Sequence, residues 1–331
     1  ALGLLAERIE SPRLDTAEAE ARIAELLLRR REGRTSKEMR GSALDRRLLR
    51  GDASEYLGGA PSEEALRALA AAPLGPVVER LRTLPMTACL TGGPALVAPV
   101  DTVWTGGAAA PPSPPVRYLR PEHDGVFLCH QAGAQARVAV LCPGSPAAPD
   151  ESADAARRVW DEILGGAANL LFQEVREARG LAYSTRGRCE RGRRPTDDAV
   201  LWAVTMCDAA RAGEVAALML RLLRDPAPVQ ARFERARDAL LARDAAHRIR
   251  PRGIAGTVAA WRRWGHAGDP RPVRRAALES LLPDALGAYQ AVWAQRPVSI
   301  TVLADLSRLD PGDFEAIGPV STLDTPDLFS Y

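Results

Sequence analysis

The side chains that could bind a metal or act as a nucleophile are few and scattered. The histidines are His123, His130, His247 and His266, and the cysteines are Cys89, Cys129, Cys142, Cys189 and Cys207. No two histidines stand one helical turn apart, so no helix face presents a pair of imidazoles to a zinc ion. Glu122-His123 and His130 could meet at a metal only if their strands paired, and a lone strand histidine is more often a hydrogen-bonded surface or core residue. The cysteines are odd in number, widely spaced and set in apolar, strand-like stretches. That pattern marks buried small hydrophobes, not a disulfide framework or a zinc cage. Ser184 has no neighbouring His–Asp set, which leaves a serine nucleophile unsupported. Trp261/Trp264 and Tyr289/Trp293 are at helical spacing and read as core stripes, not as a ligand cage. The Gly165-Gly166 pair reads as a helix break that permits close backbone approach, since no phosphate loop or dinucleotide fingerprint surrounds it.

A chain of 331 residues has room for two domains with real cores, and 46% apolar with 26% charged residues is globular composition. The net charge of +2 gives no reason to expect a nucleic acid as partner. Lys37 is the sole lysine, so arginine carries the positive charge everywhere, a compositional bias and not a local patch. The runs Arg29-Arg30-Arg31 and Arg191-Gly192-Arg193-Arg194 lie beside acids and read as solvated faces. No apolar run is long enough to span a membrane, and the first residues lack a signal-peptide pattern. A cytoplasmic location is expected, or a periplasmic one if a leader has been removed. Ala1 falls inside an amphipathic pattern (Leu4, Leu5, Ile9) without an N-cap, so a segment upstream is expected.

The elements that must position any site follow from periodicity and breakers. Helices are predicted over 1–32 (broken at Ser11-Pro12-Arg13), 35–50 and 62–84, then a strand over 86–90. Residues 106–115, rich in Gly, Ala and Pro, read as an interdomain linker. Paired strands are predicted at 125–131 and 136–142, then a helix over 153–176 interrupted at Gly165-Gly166. Residues 182–190 and 199–207 form a predicted antiparallel hairpin around the polar Arg191–Asp198 loop. Helices at 212–224, 229–246, 252–264 and 273–294 lead to a strand at 298–303. The chain also repeats itself. Leu66, Leu69, Leu74, Leu81 and Pro85 match Leu278, Leu281, Leu286, Trp293 and Pro297 at one offset of 212 (297 − 85). Glu25-Leu26-Leu27 matches Ala239-Leu240-Leu241 at 214 (240 − 26).

The stretch from Ile163 to Ser184, with Gly165-Gly166, Asn169-Leu170-Leu171-Phe172, Arg176, Gly180 and Tyr183, resembles the C-terminal-domain signature of insulinase/pitrilysin-type zinc peptidases. The nearest branch is the short, two-domain one that includes mitochondrial processing peptidase and its bacterial relatives. The resemblance implies an α+β fold of two homologous two-layer α/β sandwich domains, the first incomplete at its N-terminus. The expected division is 1–100 for the end of the first domain, 101–118 for a linker and 119–331 for a complete second domain.

In that family a His-x-x-Glu-His helix and a later glutamate bind zinc in the N-terminal domain. No such motif occurs here. Where the later glutamate would fall, in a helix resembling Leu14–Arg31, stands Arg29, with Arg22 at the acidic position seven residues earlier. A guanidinium offers no lone pair to a metal and repels it. The family also places an Arg and a Tyr, seven residues apart, toward the scissile carbonyl, a role the resemblance implies for Arg176 and Tyr183. It implies substrate contacts for Gly165, Gly166, Arg176 and Tyr183, and no metal ligand in this chain. The expectation is a non-catalytic subunit that binds peptide and completes the chamber of a homologous, zinc-bearing partner as a heterodimer. Zinc would reside in that partner or in an upstream segment. Two alternatives stay open: the C-terminal portion of a single-chain zinc endopeptidase, and a structural pseudoenzyme.

Overall fold

The computed structural model describes residues 7, 15–58, 60–71, 75–83, 91, 113–146, 150–166 and 169–331. Helix α1 (Thr16–Thr35) starts at Asp15, whose carboxylate accepts from the Ala17 N–H, and ends at Ser36. Ser36 then caps α2 (Lys37–Arg50) through its hydroxyl, so one residue both terminates and restarts the helical path. Helices α3 (Glu63–Ala71) and α4 (Gly75–Thr83) follow. The predicted strand at 86–90, most of the predicted linker, residues 1–6 and Cys89 lie outside the described residues.

The second part of the chain is built on a six-stranded sheet. Its strands are β1 (Gly125–His130), β2 (Gln135–Pro146), β3 (Ala182–Glu190), β4 (Asp198–Asp208), β5 (Ser299–Ala304) and β6 (Val320–Thr322), in the order β3-β4-β2-β5-β1-β6. The 182–190/199–207 hairpin is present as expected. The predicted pairing of 125–131 with 136–142 is not. Strand β5 inserts between them, parallel to β1 and antiparallel to β2. Every residue of β5 is buried, so this strand takes the centre of the sheet that a direct hairpin would have occupied.

Alternation along the strands divides the sheet into two faces. Val138, Val140, Ala203, Ile300 and Val302 point to the main core. Helices α5 (Glu151–Gly165) and α6 (Ala212–Arg224) cover that face, and α8 (Phe233–Ala246), α10 (Arg271–Glu279) and α11 (Pro283–Ala294) pack on α5. Between these lie the short α7 (Ala227–Gln230) and α9 (Pro251–Arg263). The single helix predicted over 273–294 is thus two. Leu282 is extended before Pro283, because the ring of a proline disfavours helical backbone in the residue ahead of it. Cys129, Cys142, Cys189 and Cys207 are buried and free, and burial pushes the thiols of the last three up to about 12.

Among the described residues the opposite face is only partly covered. Helix α2 lies over β5 and β2, and α12 (Thr325–Leu328) packs on α2. Ala43 and Leu44 are buried with Cys129, Leu303, Leu328 and Phe329. The Asp45 carboxylate accepts from both Arg137 Nη1 (3.1 Å) and Nη2 (2.5 Å), and from Thr301 Oγ1 (2.9 Å), tying α2 to β2 and β5. The repeat reappears as element order. Shifted by 214, α2 falls on 251–264, where α9 spans Pro251–Arg263. Shifted by 212, α3 and α4 fall on 275–283 and 287–295, overlapping α10 and α11. Packing differs between the copies: Leu66 is buried like Leu278, but Leu69 is 46% exposed whereas Leu281 is buried.

Candidate functional site

Helix α5 ends on Gly165 because the chain runs against the backbone of β3. A Cβ on Gly165 would lie 2.7 Å from the Gly187 carbonyl oxygen. The N–H of Gly166 closes the helix on the Glu162 carbonyl, and a Cβ there would strike the Glu162 side chain. Close packing of helix on strand explains Gly165, the backbone approach that the sequence suggests, and at Gly166 the Glu162 side chain occupies the space a Cβ would need.

Asn169 then caps the next turn, its Oδ1 accepting from the Phe172 N–H at 2.9 Å. Leu170, Leu171 and Val175 are fully buried and fasten the π-helical turn Phe172–Glu177 to the core. Its defining bond runs from Ala178 N–H to the Gln173 carbonyl, five residues back, at 2.8 Å. Gly180, at φ +59, then reverses the chain into β3, with its N–H donating to the Arg176 carbonyl at 2.8 Å. The Arg176 side chain is on the outside of the turn. Its guanidinium sits 4.7 Å from the Phe172 ring centroid, with Nε 3.6 Å from Glu177.

Tyr183 follows at the start of β3, which among the described residues is an edge strand paired with β4. Ala182 pairs with Cys207 and Ser184 with Met206, so Tyr183 is the extra residue of a β-bulge. A bulge breaks strict alternation and re-aims a side chain. Here it leaves Tyr183 and Ser184 both exposed in succession, Tyr183 at 77%. Both members of the Arg–Tyr pair are therefore on the outer surface where the turn packs against β3.

Beyond the bulge, β3 borders a groove of about 680 Å³ on the partly covered face of the sheet. Trp202 and Val204 form its floor, with α2 on one side and Arg186 and Glu190 on the other. Its lining comes from elements distant in sequence, so no local motif marks the groove. Its signal was Arg137, a charged residue inside an apolar strand, which had to find Asp45 from another element.

Arg29 and Arg31 are exposed beside acids as expected, but the Arg191–Arg194 run is not. Arg194 is folded back on Asp197 (2.8 Å) and donates to the carbonyls of Ser113 and Pro114 at 2.6 and 2.7 Å. Arg191 is turned inward over the Trp264 ring at 3.9 Å, with its side chain only 24% exposed. Neither is a solvated face. Arg22 and Arg29, by contrast, lie on the exposed side of α1, each paired with Glu25 at 2.9 and 2.5 Å. Neither guanidinium offers a lone pair to a zinc ion, and the carboxylate between them, Glu25, is held by both. His123 Nδ1 lies 3.0 Å from the Asp124 carbonyl, and His130 Nδ1 accepts from the Leu306 N–H at 3.4 Å. Among the described residues no helix is long and apolar enough to cross a membrane.

Residues 90–240 match the family model of the peptidase M16 inactive domain. Comparison with curated proteins returned no match. Among solved structures the chain is similar to the peptidase M16 inactive domain from Pseudomonas fluorescens, with 15% identity and a TM-score of 0.70 over 92% of this chain and 74% of that one. It is similar to the periplasmic protease PqqL from Escherichia coli at 14% identity and TM-score 0.66, covering 92% of this chain and 34% of that one. A chain of complex III2 from Candida albicans gives 11% identity and TM-score 0.66 over 96% and 80%. At these identities the likeness is one of fold. Residues 90–240 are thus similar to the inactive domain of M16 (insulinase-type) peptidases, and the chain as a whole shares the fold of these structures.

Proposed function

We propose that this chain is a peptide-binding subunit that completes the chamber of a homologous partner bearing the zinc motif. In this reading Tyr183 and Arg176 supply a phenol O–H and a guanidinium to the scissile carbonyl as it gains negative charge. The free edge of β3 adds a strand of substrate through main-chain hydrogen bonds. Gly165 and Gly166 serve the site by letting α5 seat β3 at the right depth. The division into 1–100, 101–118 and 119–331 belongs to the same proposal. The observation that carries it is the exposure of Tyr183, delivered by a bulge to a strand edge that no described strand pairs with. A core tyrosine would have been packed instead.

A purely structural role is the second reading. It is favoured by the contacts Arg176 already makes with Phe172 and Glu177, which occupy the guanidinium without substrate. Mixing experiments separate the two. The chain and a homologue with His-x-x-Glu-His are purified separately, combined, and assayed by light scattering and by hydrolysis of a quenched fluorescent peptide. Hydrolysis that appears only in a 1:1 complex supports the proposal. A homologue fully active alone, and unchanged on mixing, overturns it.

A further inference from the structure

On the helical side of the sheet two adjoining cavities, of about 170 and 570 Å³, share the wall formed by Asp154, Arg157, Arg191 and Arg274. The smaller is aromatic, lined by Trp264, Tyr289 and Trp293. The larger is lined by seven arginines against three aspartates. Several of these charges cancel locally. Arg158 meets Asp244 at 2.6 Å, Arg271 meets Asp269 at 2.6 Å, and Arg275 meets Glu279 at 2.8 Å.

The remainder is unbalanced. Asp154 is claimed by Arg157 at 2.9 Å, yet Arg191 at 3.2 Å and Arg274 at 3.8 Å also lean on it. Arg157 has a second carboxylate in Asp161, at 3.1 Å, whereas among the described residues Arg191 and Arg274 form ion pairs with Asp154 alone. Arg274 Nη2 lies 3.1 Å from His266 Nε2, while its Nε is buried without a hydrogen-bond partner among the described residues. Arg248, which also lines the larger cavity, donates among the described residues to the carbonyls of Ala245 and His247 alone. Burial pulls the Arg191 guanidinium down to about 10 although Asp154 opposes the shift. Stacking on Trp264 uses its face and leaves N–H edges free for an in-plane acceptor.

We infer that this cleft is an anion site for a phosphoryl group, free or carried on a small organic molecule whose apolar part enters the aromatic cavity. Three guanidiniums with spare donors outnumber the two oxygens and single charge of a carboxylate. A phosphate offers three or four oxygens and up to two charges. The site is independent of the peptidase-like role, because it is lined by α5, α9–α11 and the β3–β4 loop and not by Arg176 or Tyr183.

The test is titration of the intact protein with inorganic phosphate and with phenyl phosphate, at constant ionic strength in chloride, followed by calorimetry and tryptophan fluorescence. Saturable binding of phosphate with a change in tryptophan emission is expected, and Arg248→Gln should weaken it about tenfold, the worth of one charge-assisted hydrogen bond. Arg248 is exposed and bonds only to carbonyls, so this variant keeps its fold; Arg274→Gln is the second, checked by circular dichroism. Tighter binding of phenyl phosphate assigns an organic ester, and equal binding assigns free phosphate; both support the site. A response matched by added chloride, or undiminished in both variants, overturns it.

Discussion

Tyr183 carries a phenol that touches water over most of its surface, so its removal separates function from stability. Tyr183→Phe should leave unfolding free energy within about 0.5 kcal/mol of wild type, as for surface substitutions generally. Urea titration checks this. Gly165 is the opposite case. Gly165→Ala places a methyl 2.7 Å from the Gly187 carbonyl, a backbone atom that cannot swing away. We expect a loss of about 1–3 kcal/mol by the same titration. Of these side chains, Arg176 and Tyr183 were legible only through the Ile163–Ser184 signature. Neither the bulge nor the π-helical turn that sets their exposure leaves a pattern in local periodicity. Arg191 was misread for a related reason: beside acids in sequence, it pairs in space with Asp154 and Trp264, some 40 and 70 residues away.

Among the elements, the contacts between α2 and the sheet are the ones most open to test. Asp45→Ala strips Arg137 of its carboxylate while leaving the guanidinium against the sheet. The pair is incompletely buried, so we expect a loss of about 2–3 kcal/mol, below that of a wholly buried pair. Equilibrium unfolding measures it. The β3–β4 loop is held in turn by Asp197, which accepts from the Val116 and Arg194 N–H groups. Burial opposes its ionisation, but the bonds from Arg194 and Val116 prevail and hold the carboxyl below the usual range. A depressed carboxyl stabilises fully above the unfolded value, about 3.9, and less as pH falls through the folded one. Limited proteolysis of residues 113–118 should therefore rise below about pH 4 in wild type. In Asp197→Asn it should already be high at pH 7. Helix and hairpin spans were readable because each has its own period and breakers. The place of β5 was not, since a buried six-residue strand carries no mark of which neighbours it separates. Pro283 did mark the break between α10 and α11, yet the apolar pattern on both sides concealed it.

For the chain as a whole, the likeness to the M16 inactive domain over 90–240 was legible from one signature, and the helix repeat at an offset of 212–214 was visible without any comparison. The groove and the arginine-lined cleft were not, because both are assembled from elements distant in sequence. The proposed role stands or falls on whether the exposed phenol works on a substrate held with a zinc-bearing homologue. Single-turnover hydrolysis of a quenched peptide by the reconstituted pair measures that, with wild type compared against Tyr183→Phe at matched complex concentration. Loss of one donor to a developing oxyanion costs roughly 100- to 1,000-fold in rate, and we expect a fall of that order with peptide affinity unchanged. An unaltered rate in an intact complex would contradict the account and leave the chain as scaffold.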